Sequence, residues 1–201
     1  MIWDMNICLC PRYSEQQQSV KLRIMPINDL EIAPATAADI PTLHHLIESA
    51  YRGESAKRGW THEADLLDGQ RTDSSELSAI FADERQVMLA VRKMTDIIGC
   101  VNLTRLNNDV AYLGMLTVTP AIQAGGVGKQ LIAASEDYVQ EKWHIKTIEM
   151  TVIRQRTELI AWYKRQGYRQ TGETRPFPLD DPRFGLPKTC ELEFTVLSKM
   201  L

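Results

Sequence analysis

Hydrophobic positions change their spacing along the chain, and each spacing predicts a different kind of element. Alternating or continuous apolar runs predict strands over residues 30–35, 86–93, 96–106, 109–119, 146–152 and 190–200. Spacings of three and four residues predict a helix that begins near Asp39, and further helices over residues 74–84, 126–142 and 156–166. The order β-α-α-β-β-β-α-β-α-β is typical of a single α/β domain with a mixed sheet.

Two of the predicted strands are expected to occupy different places in that sheet. Residues 109–119 are apolar at nearly every position, as expected of a central strand that is covered on both faces. Residues 190–200 alternate, and this last strand offers an edge that could pair across a homodimer.

Length and composition favour one globular domain. The chain has 201 residues, of which 44% are hydrophobic and 24% charged, enough for one sizeable core. We expect residues 29–201 to form this domain and residues 1–28, with the polar run SEQQQS, to be a poorly ordered extension. Asp4 stands where a signal peptide would have lysines, and no window approaches the roughly 18 apolar residues of a membrane span. We therefore expect a cytoplasmic protein without a membrane partner.

Charge and metal-ligating residues narrow the function classes. The formal net charge of −3 argues against nucleic acid as a partner, because such binding usually needs a basic face. The four cysteines lack the paired spacing of a zinc site and are interpreted as free thiols in a reducing compartment: Cys8, Cys10, Cys100 and Cys190. His44 and His45 are adjacent on a predicted helix, so they face different directions and cannot chelate one ion. We expect no metal site.

The segment VTPAIQAGGVGKQL, residues 118–131, places three glycines between an apolar strand and a helix. Unpaired amides at a helix N-terminus form a binding site for phosphate, and glycines let the phosphate come close because they have no Cβ atom. Two other phosphate motifs do not fit. A P-loop would need Gly at Gln123 and Ser or Thr at Gln130, and the dinucleotide fingerprint would need Gly at Leu131. These departures argue against a nucleotide phosphotransferase.

The pattern Gln123-x-x-Gly126-x-Gly128 resembles the central signature of the GCN5-related N-acetyltransferases, the GNAT superfamily. A second segment, residues 150–168, resembles the strand and helix that follow in this family and end in a Tyr-x3-Gly-aromatic pattern, here Tyr163, Gly167 and Tyr168. The two segments cover about half of the chain, and the order of elements extends over residues 29–201. The resemblance implies a GNAT-like acyl-CoA N-acyltransferase fold, with a mixed, mostly antiparallel sheet flanked by helices.

The resemblance also implies that acetyl-CoA is the acetyl donor and that it binds beside the strand before the turn. In this family a bulge splays that strand from the next one, and the pantetheine arm inserts between them. The backbone of Leu116 and Val118 should pair with the arm, with Thr117 between them in the contact. The turn residues expected to hold the diphosphate are Gln123, Ala124, Gly125, Gly126, Val127, Gly128 and Lys129. Many members have Asn where Arg156 stands, so Arg154 or Arg156 would meet either a phosphate of the cofactor or a surface acid.

The implied reaction is direct attack of an amine on the thioester, without an acyl-enzyme. Tyr163 is the expected general acid for the departing thiolate; the alternative is a core aromatic, since it lies four residues from Leu159. Tyr112 stands where some members have a glutamate base, and tyrosine, with a reference pKa of about 10, is a poor base. Either water relays the proton or the base lies in the segment after the first helix, at Glu54, His62, Glu63, Asp65 or Asp68.

The acceptor is expected beside the same segment. Trp60, His62, Glu63 and Asp65 would form an aromatic and acidic wall suited to a cationic amine. The helix over 74–84 would be a lid or wall of this pocket or, as the alternative, a dimer surface. The predicted function is therefore an N-acetyltransferase that acts on a primary amine of a small metabolite, polyamine, amino acid or peptide. The alternative is a non-catalytic acyl-CoA-binding sensor or interaction module, which needs the turn but not Tyr163.

Overall fold

The computed structural model describes residues 30–181 and 184–201. Within them, the strands are β1 (Leu30–Pro34), β2 (Leu67–Asp68), β3 (Gln86–Lys93), β4 (Asp96–Arg105), β5 (Val110–Val118), β6 (Thr147–Ile153), β7 (Arg169–Pro176), β8 (Leu186–Pro187) and β9 (Glu193–Met200). The helices are α1 (Ile40–Tyr51), α2 (Gly53–Ala56), α3 (Ser74–Ala82), α4 (Val127–Trp143) and α5 (Thr157–Arg165). The expected N-terminal extension, residues 1–28, lies outside the described residues.

Seven of these strands form one sheet in the order β1-β3-β4-β5-β6-β9-β7, and β2 and β8 form a small separate ribbon. Neighbours in the large sheet are antiparallel except for β5 and β6, which are parallel. The central place of β5 agrees with its apolar sequence. The predicted architecture, a mixed and mostly antiparallel sheet flanked by helices, is confirmed.

Helices cover both faces of the sheet because alternate residues of each strand point to opposite sides. On one face, Leu43 of α1 belongs to an apolar cluster with Met88 and Ala90 of β3. On the other face, the intervening residues Leu89 and Val91 belong to a second cluster, which includes the buried side of α4. The sheet is thus held between two cores, and the positions of α1 and α4 relative to β5 are fixed.

β5 separates from β6 after its first three residues. Only Val110–Tyr112 pair with β6, while on the β4 side the register shifts so that β5 carries one extra residue between Gly114 and Thr117. Met115 lies in this bulge with a φ of +51°, and its carbonyl accepts a hydrogen bond of 2.9 Å from the Thr117 hydroxyl. The C-terminal halves of β5 and β6 therefore diverge and leave a wedge-shaped opening in the sheet.

The edge of the sheet differs from the sequence-based prediction. β7, with the sequence RQTGETRP, was missed because it is an edge strand: it pairs only with β9, lies largely exposed and has no apolar periodicity. As a result, β9 lies between β6 and β7. The prediction that the last strand offers a free edge for a homodimer is wrong, since the two edges of the large sheet are β1 and β7.

The described cysteines and helices add little chemistry of their own. Cys100 is buried, Cys190 is exposed, and both are free; burial raises the pKa of the Cys100 thiol to about 12. Cys8 and Cys10 lie outside the described residues.

No described helix combines the length and apolar character needed to cross a bilayer. The described side chains include no group of three or more His, Cys, Asp or Glu that could hold a metal ion.

Candidate active site

The turn between β5 and α4 keeps its backbone open to solvent. Gly126, the residue before α4, has a φ of +87°, and a Cβ built on it would meet no atom within 4 Å. Ala124 also has a positive φ, +66°, which is uncommon for a residue other than glycine. Left-handed residues in such a turn direct successive N–H groups toward one concave side, which is the geometry of backbone anion sites.

Most amides of this turn are unpaired. The Gly125 amide donates to the Ile122 carbonyl at 3.2 Å. Within the described part of the chain, the amides left without a hydrogen-bond acceptor are those of Gln123, Ala124, Gly126, Val127, Gly128 and Lys129. The positive end of the α4 dipole lies at the same place and favours an anion. The turn therefore fits the diphosphate of a coenzyme A molecule.

The side of β5 that faces the opening presents further backbone groups. The Thr119 amide donates to Ile98 in β4 at 2.9 Å, so Leu116 and Val118 direct their backbone groups the other way, toward the opening. The Leu116 carbonyl accepts a hydrogen bond of 2.9 Å from the Tyr51 hydroxyl, and each carbonyl oxygen has a second lone pair. An extended pantetheine arm laid in the opening would therefore meet backbone N–H and C=O groups at the usual strand spacing.

A cavity of about 260 Å³, hereafter the coenzyme cavity, runs along this edge of β5 to the turn. Trp60 and Trp162 form its aromatic side, with ring centroids 6.3 Å apart. Trp162 also lies against the turn, 3.5 Å from where a Cβ on Gly128 would be. The residues predicted to bind the cofactor that line this cavity are Leu116, Thr117, Val118, Gln123, Ala124, Gly126, Val127, Gly128, Lys129 and Arg156.

The side chain of Gln123 joins the two sides of the coenzyme cavity. Its Oε1 accepts a hydrogen bond of 2.9 Å from the Trp60 amide, and its Nε2 donates to the Val118 carbonyl at 3.1 Å. A Cβ on Gly59 would overlap the Gln123 amide, so glycine is needed for this close approach. Gln123 thus attaches the segment before Trp60 to the phosphate turn.

A second cavity of about 500 Å³, hereafter the acceptor cavity, lies on the other side of the same opening. Its walls come from α1, α3, α5, strands β3 to β6 and β9, residues of the segment 63–71, and the aromatic residues between β7 and β8. The two cavities meet at five residues that line both: Tyr51, Leu116, Arg156, Leu159 and Tyr163. A ligand in one cavity can therefore reach a ligand in the other at this junction.

Tyr163 supplies the free hydroxyl at the junction. It projects from α5 and is 6% exposed, and its hydroxyl makes no hydrogen bond with a residue that the structure describes. Burial raises the pKa of Tyr163 far above its usual value, so the phenol is protonated over the whole physiological range. A buried, protonated hydroxyl without an acceptor is suited to donate a proton to an anion that forms beside it.

Glu63 is a buried carboxylate held by two arginines. Its oxygens accept hydrogen bonds from Arg52 at 2.7 Å and from Arg156 at 2.8 Å, and Arg156 also donates to the Thr61 hydroxyl at 2.8 Å. Burial by itself would raise the pKa of Glu63, but the neighbouring guanidinium groups outweigh it and lower the pKa. This group attaches the segment after α2 to the start of α5 and leaves Glu63 a weak base.

The remaining polar groups of the acceptor cavity are less constrained. Arg71 and Glu76 line it, and neither side chain forms an ion pair or a hydrogen bond with a described residue. The Asn102 amide donates to Gln86 at 2.9 Å, while its Oδ1 is buried without a hydrogen-bond partner in the described structure. The Tyr112 and Thr151 hydroxyls share a hydrogen bond of 2.7 Å.

A comparison with protein-family models identifies the family of this chain. The profile described as the acetyltransferase (GNAT) family matches residues 41–168, well over half of the chain, and this range contains the turn, the opening and Tyr163. The chain belongs to the GNAT family. A comparison with curated protein sequences gives no significant match.

Solved structures agree with the GNAT fold. The spermidine N-acetyltransferase from Vibrio cholerae, in complex with CoA and spermine, is 15% identical with a TM-score of 0.64, over 86% of this chain and 96% of that one. The ribosomal-protein-alanine N-acetyltransferase from Brucella melitensis is 16% identical with a TM-score of 0.63, over 85% and 99%. Ard1 from Thermoplasma volcanium is 12% identical with a TM-score of 0.64, over 86% and 98%. At such identities the likeness concerns the fold.

Family membership confirms three sequence-based predictions: the resemblance to GNAT proteins, the class of acyl-CoA N-acyltransferase, and acetyl-CoA as the acetyl donor. The individual site residues stay predictions. Gly125 does not line the coenzyme cavity, and the Arg156 guanidinium, expected at a phosphate or a surface acid, is bound to the buried Glu63. Arg154 lies 3.3 Å from Glu193 at the surface.

The residues predicted for the acceptor are separated in this GNAT structure. Trp60 lines the coenzyme cavity and Glu63 the acceptor cavity. His62 and Asp65 line neither of these cavities; their side chains approach each other to 3.9 Å, and that of Asp65 is exposed. The other candidate bases are exposed acids paired with lysines, Glu54 with Lys57 and Asp68 with Lys188.

Several residues of the site were missed from the sequence. Tyr51 ends α1, Arg71 lies in the loop before α3, and Asn102 lies inside β4; none belongs to a short motif. The clearest available signal was Trp162, an aromatic residue on a helix whose apolar face already included Tyr163. Cavity-lining side chains such as these are brought together only by the tertiary fold.

Proposed function

We propose that this GNAT protein transfers the acetyl group of acetyl-CoA directly to a primary amine of a small metabolite, polyamine, amino acid or peptide. The observation that carries the proposal is the junction of two cavities at Tyr163, with the phosphate turn at the far end of one cavity and a space of about 500 Å³ as the other. Such an arrangement brings two ligands into contact, which is the requirement for a direct transfer.

Acetyl-CoA supplies a thioester whose carbonyl carbon an amine can attack. The turn amides hold the diphosphate, and the backbone of Leu116 and Val118 orients the arm toward the junction. Among the described residues that line the two cavities there is no cysteine or serine, which supports direct attack rather than an acyl-enzyme. The Tyr163 hydroxyl donates its proton to the sulfur as the carbon–sulfur bond breaks.

The amine must lose a proton as the new bond forms, and Glu76 is the candidate to accept it. Two carboxylates line the acceptor cavity within the described residues. Glu63 is occupied by two arginines, whereas the half-buried Glu76 carboxylate on α3 has no partner among the described residues. Glu76 accepts the proton either directly or through a water molecule.

The test is an assay of the purified protein with acetyl-CoA and a panel of amines, read by release of the CoA thiol and by the mass of the product. Acetylation of at least one primary amine, with one thiol released for each acetyl transferred, is expected. Saturable binding of acetyl-CoA without turnover across polyamines, amino acids and peptides would contradict the proposal and fit the alternative of a non-catalytic sensor.

A further inference from the structure

Arg71 is a cationic group of the acceptor cavity. Its charge helps to lower the pKa of Glu63, but its guanidinium forms no ion pair with a described residue. Its guanidinium carbon lies 5.3 Å from the ring centroid of Tyr51, and its backbone amide donates to Glu48 at 2.6 Å. The adjacent Thr72 amide donates to the same carboxylate oxygen at 2.8 Å. The base of the side chain is thus anchored, and the guanidinium is stacked on an aromatic ring and left to bind a ligand in the cavity.

Arg71 lies close to the place of acetyl transfer. The tyrosine on which it stacks donates its hydroxyl hydrogen bond to the Leu116 carbonyl at 2.9 Å, and Leu116 belongs to both cavities. One tyrosine side chain therefore separates the guanidinium from the backbone that flanks the thioester position.

The electrostatic balance of the acceptor cavity also favours an anionic group on the ligand. The charged side chains that line it or bind its lining carboxylates are three arginines and two glutamates: Arg52, Arg71, Arg156, Glu63 and Glu76. Arg52 and Arg156 both bind Glu63. Arg71 acts on Glu63 only through its charge, and neither Arg71 nor Glu76 forms an ion pair with a described residue. Together they offer one cation and one anion to a ligand, which complements a zwitterion better than a polycation.

An apolar surface completes the cavity. Phe177 packs against Phe184, with ring centroids 6.2 Å apart, and against Phe194, with centroids 5.1 Å apart. Leu67 and Ile153 belong to the same side of the cavity. This wall, hereafter the phenylalanine wall, offers contact to an apolar side chain and no charged group to a second amine of a polyamine.

We propose that the acceptor is a free α-amino acid with an apolar side chain, whose carboxylate binds Arg71 while its amine faces Tyr163. The inference rests on the proposed acetyl transfer and narrows its substrate class. The Glu76 carboxylate and the unpartnered Asn102 Oδ1 are acceptors for the N–H groups of the amine, and the phenylalanine wall receives the side chain.

The experiment compares matched acceptors in the thiol-release assay: L-phenylalanine, its decarboxylated form phenethylamine, its carboxyl-blocked form phenylalaninamide, and spermidine. L-Leucine and isopentylamine form a second pair. We expect kcat/KM for each amino acid to exceed that of its decarboxylated form by at least about 10-fold, the contribution of one charge-assisted contact. Phenylalaninamide and spermidine should resemble phenethylamine.

The decisive variant is Arg71→Met. It should lower kcat/KM for L-phenylalanine at least about 10-fold more than kcat/KM for phenethylamine, so that the preference for the amino acid is lost. A merely structural role of Arg71 would lower both values alike. Arg71→Lys should keep part of the preference. Arg169→Met, which removes an exposed arginine from the edge strand β7, is the matched control and should keep all of it.

The outcomes separate this inference from the proposed function. If phenethylamine or spermidine is acetylated as well as L-phenylalanine, or if Arg71→Met keeps the preference, the substrate class is wrong while acetyl transfer stands. Acetylation of peptide N-termini with no turnover of free amino acids would also overturn the class. Release of no thiol with any amine, although acetyl-CoA binds, would overturn both proposals.

Discussion

The coenzyme cavity and the acceptor cavity meet at Tyr163, yet they are built from different parts of the chain. The polar groups that the coenzyme cavity offers are largely backbone: the open edge of β5 and the unpaired amides of the turn, those of Gln123, Ala124 and residues 126–129. The acceptor cavity is made of side chains from α1, α3, α5, six strands and the loops between them. Backbone donors suit a ligand part that is always the same, the coenzyme, whereas side chains can differ with the acceptor. Variants of the turn should therefore change the affinity for acetyl-CoA, whereas variants of the acceptor cavity should change kcat or the kcat/KM for the amine.

The largest expected effect concerns Glu63, whose carboxylate binds Arg52 and Arg156 and so attaches the segment after α2 to the start of α5. Glu63→Gln leaves Arg52 and Arg156 buried without a carboxylate, which should lower the free energy of unfolding by about 3–5 kcal/mol. Chemical denaturation near neutral pH measures this. Glu54→Gln, which removes an exposed carboxylate from its pair with Lys57, should have little effect, and an equally small loss in Glu63→Gln would contradict the structural role.

The same variant has a defined pH dependence. The pKa of Glu63 is lowered in the folded state from its usual value of 4.5, so its contribution to stability is complete above that pH. It is lost as the pH falls from 4.5 toward the folded-state pKa, because protonation there releases the two arginines. The difference in stability between the wild type and Glu63→Gln should narrow over this range and stay constant above it.

The junction is tested by Tyr163→Phe. Removing the hydroxyl should lower kcat by about 100- to 1000-fold, since the departing thiolate loses its proton donor, while the acetyl-CoA dissociation constant changes little. Tyr168→Phe is the control, because Tyr168 is also buried but lines neither cavity. Equal kcat values for the two variants would return Tyr163 to the role of a core aromatic.

The Glu76→Gln variant tests whether Glu76 takes the proton from the attacking amine. We expect kcat/KM for the amine to fall on the order of 100-fold, with acetyl-CoA affinity unchanged. Glu84→Gln, at an exposed position just beyond the same helix, is the control. A variant at Glu76 that keeps full activity would assign the proton transfer to water alone.

The Gly126→Asp variant tests whether the backbone amides of the turn bind the diphosphate of acetyl-CoA. The new carboxylate would face the diphosphate, and acetyl-CoA should bind about 100-fold more weakly. Gly172→Asp provides a close match: Gly172 has a φ of +89°, Gly126 one of +87°, and a Cβ at either position meets no atom within 4 Å. Both variants carry the same backbone strain, so only a loss of affinity specific to Gly126→Asp supports the phosphate site.

The smallest expected effect concerns Gln123, whose side chain connects the turn to the Trp60 side of the coenzyme cavity. Gln123→Ala removes the hydrogen bonds to the Trp60 amide and the Val118 carbonyl, and each is worth about 1 kcal/mol. Acetyl-CoA affinity should fall by roughly 5- to 10-fold. Gln140→Ala on the exposed side of α4 should not change it, and equal dissociation constants for the two variants would show that the connection is dispensable.

The contrast between the two cavities also explains how far the sequence could be interpreted. The strands, helices and phosphate turn follow from local patterns: apolar periodicity, and the spacing of Gln123, Gly126 and Gly128, which the backbone itself requires. β7 has no such pattern, because an edge strand exposes most of its side chains, and its absence from the prediction led to the wrong edge. Arg156 and Glu63 are 93 positions apart, and no local pattern connects them.

The same reasoning accounts for the acceptor residues. The predicted wall of Trp60, His62, Glu63 and Asp65 followed from their nearness in the sequence. In the folded chain Trp60 lines the coenzyme cavity, Glu63 lines the acceptor cavity and Asp65 is exposed, while the largely buried His62 lines neither cavity. Arg71 and Asn102 come from a loop and a strand that approach each other only in the folded sheet. Side-chain sites of this kind require the tertiary structure.

The central claim is that the six unpaired amides within residues 123–129, all but that of Gly125, bind the diphosphate of coenzyme A. The most direct test is a titration of 15N-labelled protein with acetyl-CoA and, separately, with S-acetylpantetheine, which lacks the diphosphate. Acetyl-CoA should shift the amide signals of residues 123–129 together with those of Leu116 and Val118, while S-acetylpantetheine should leave the turn signals unchanged. Turn signals that stay in place at saturating acetyl-CoA would contradict the claim.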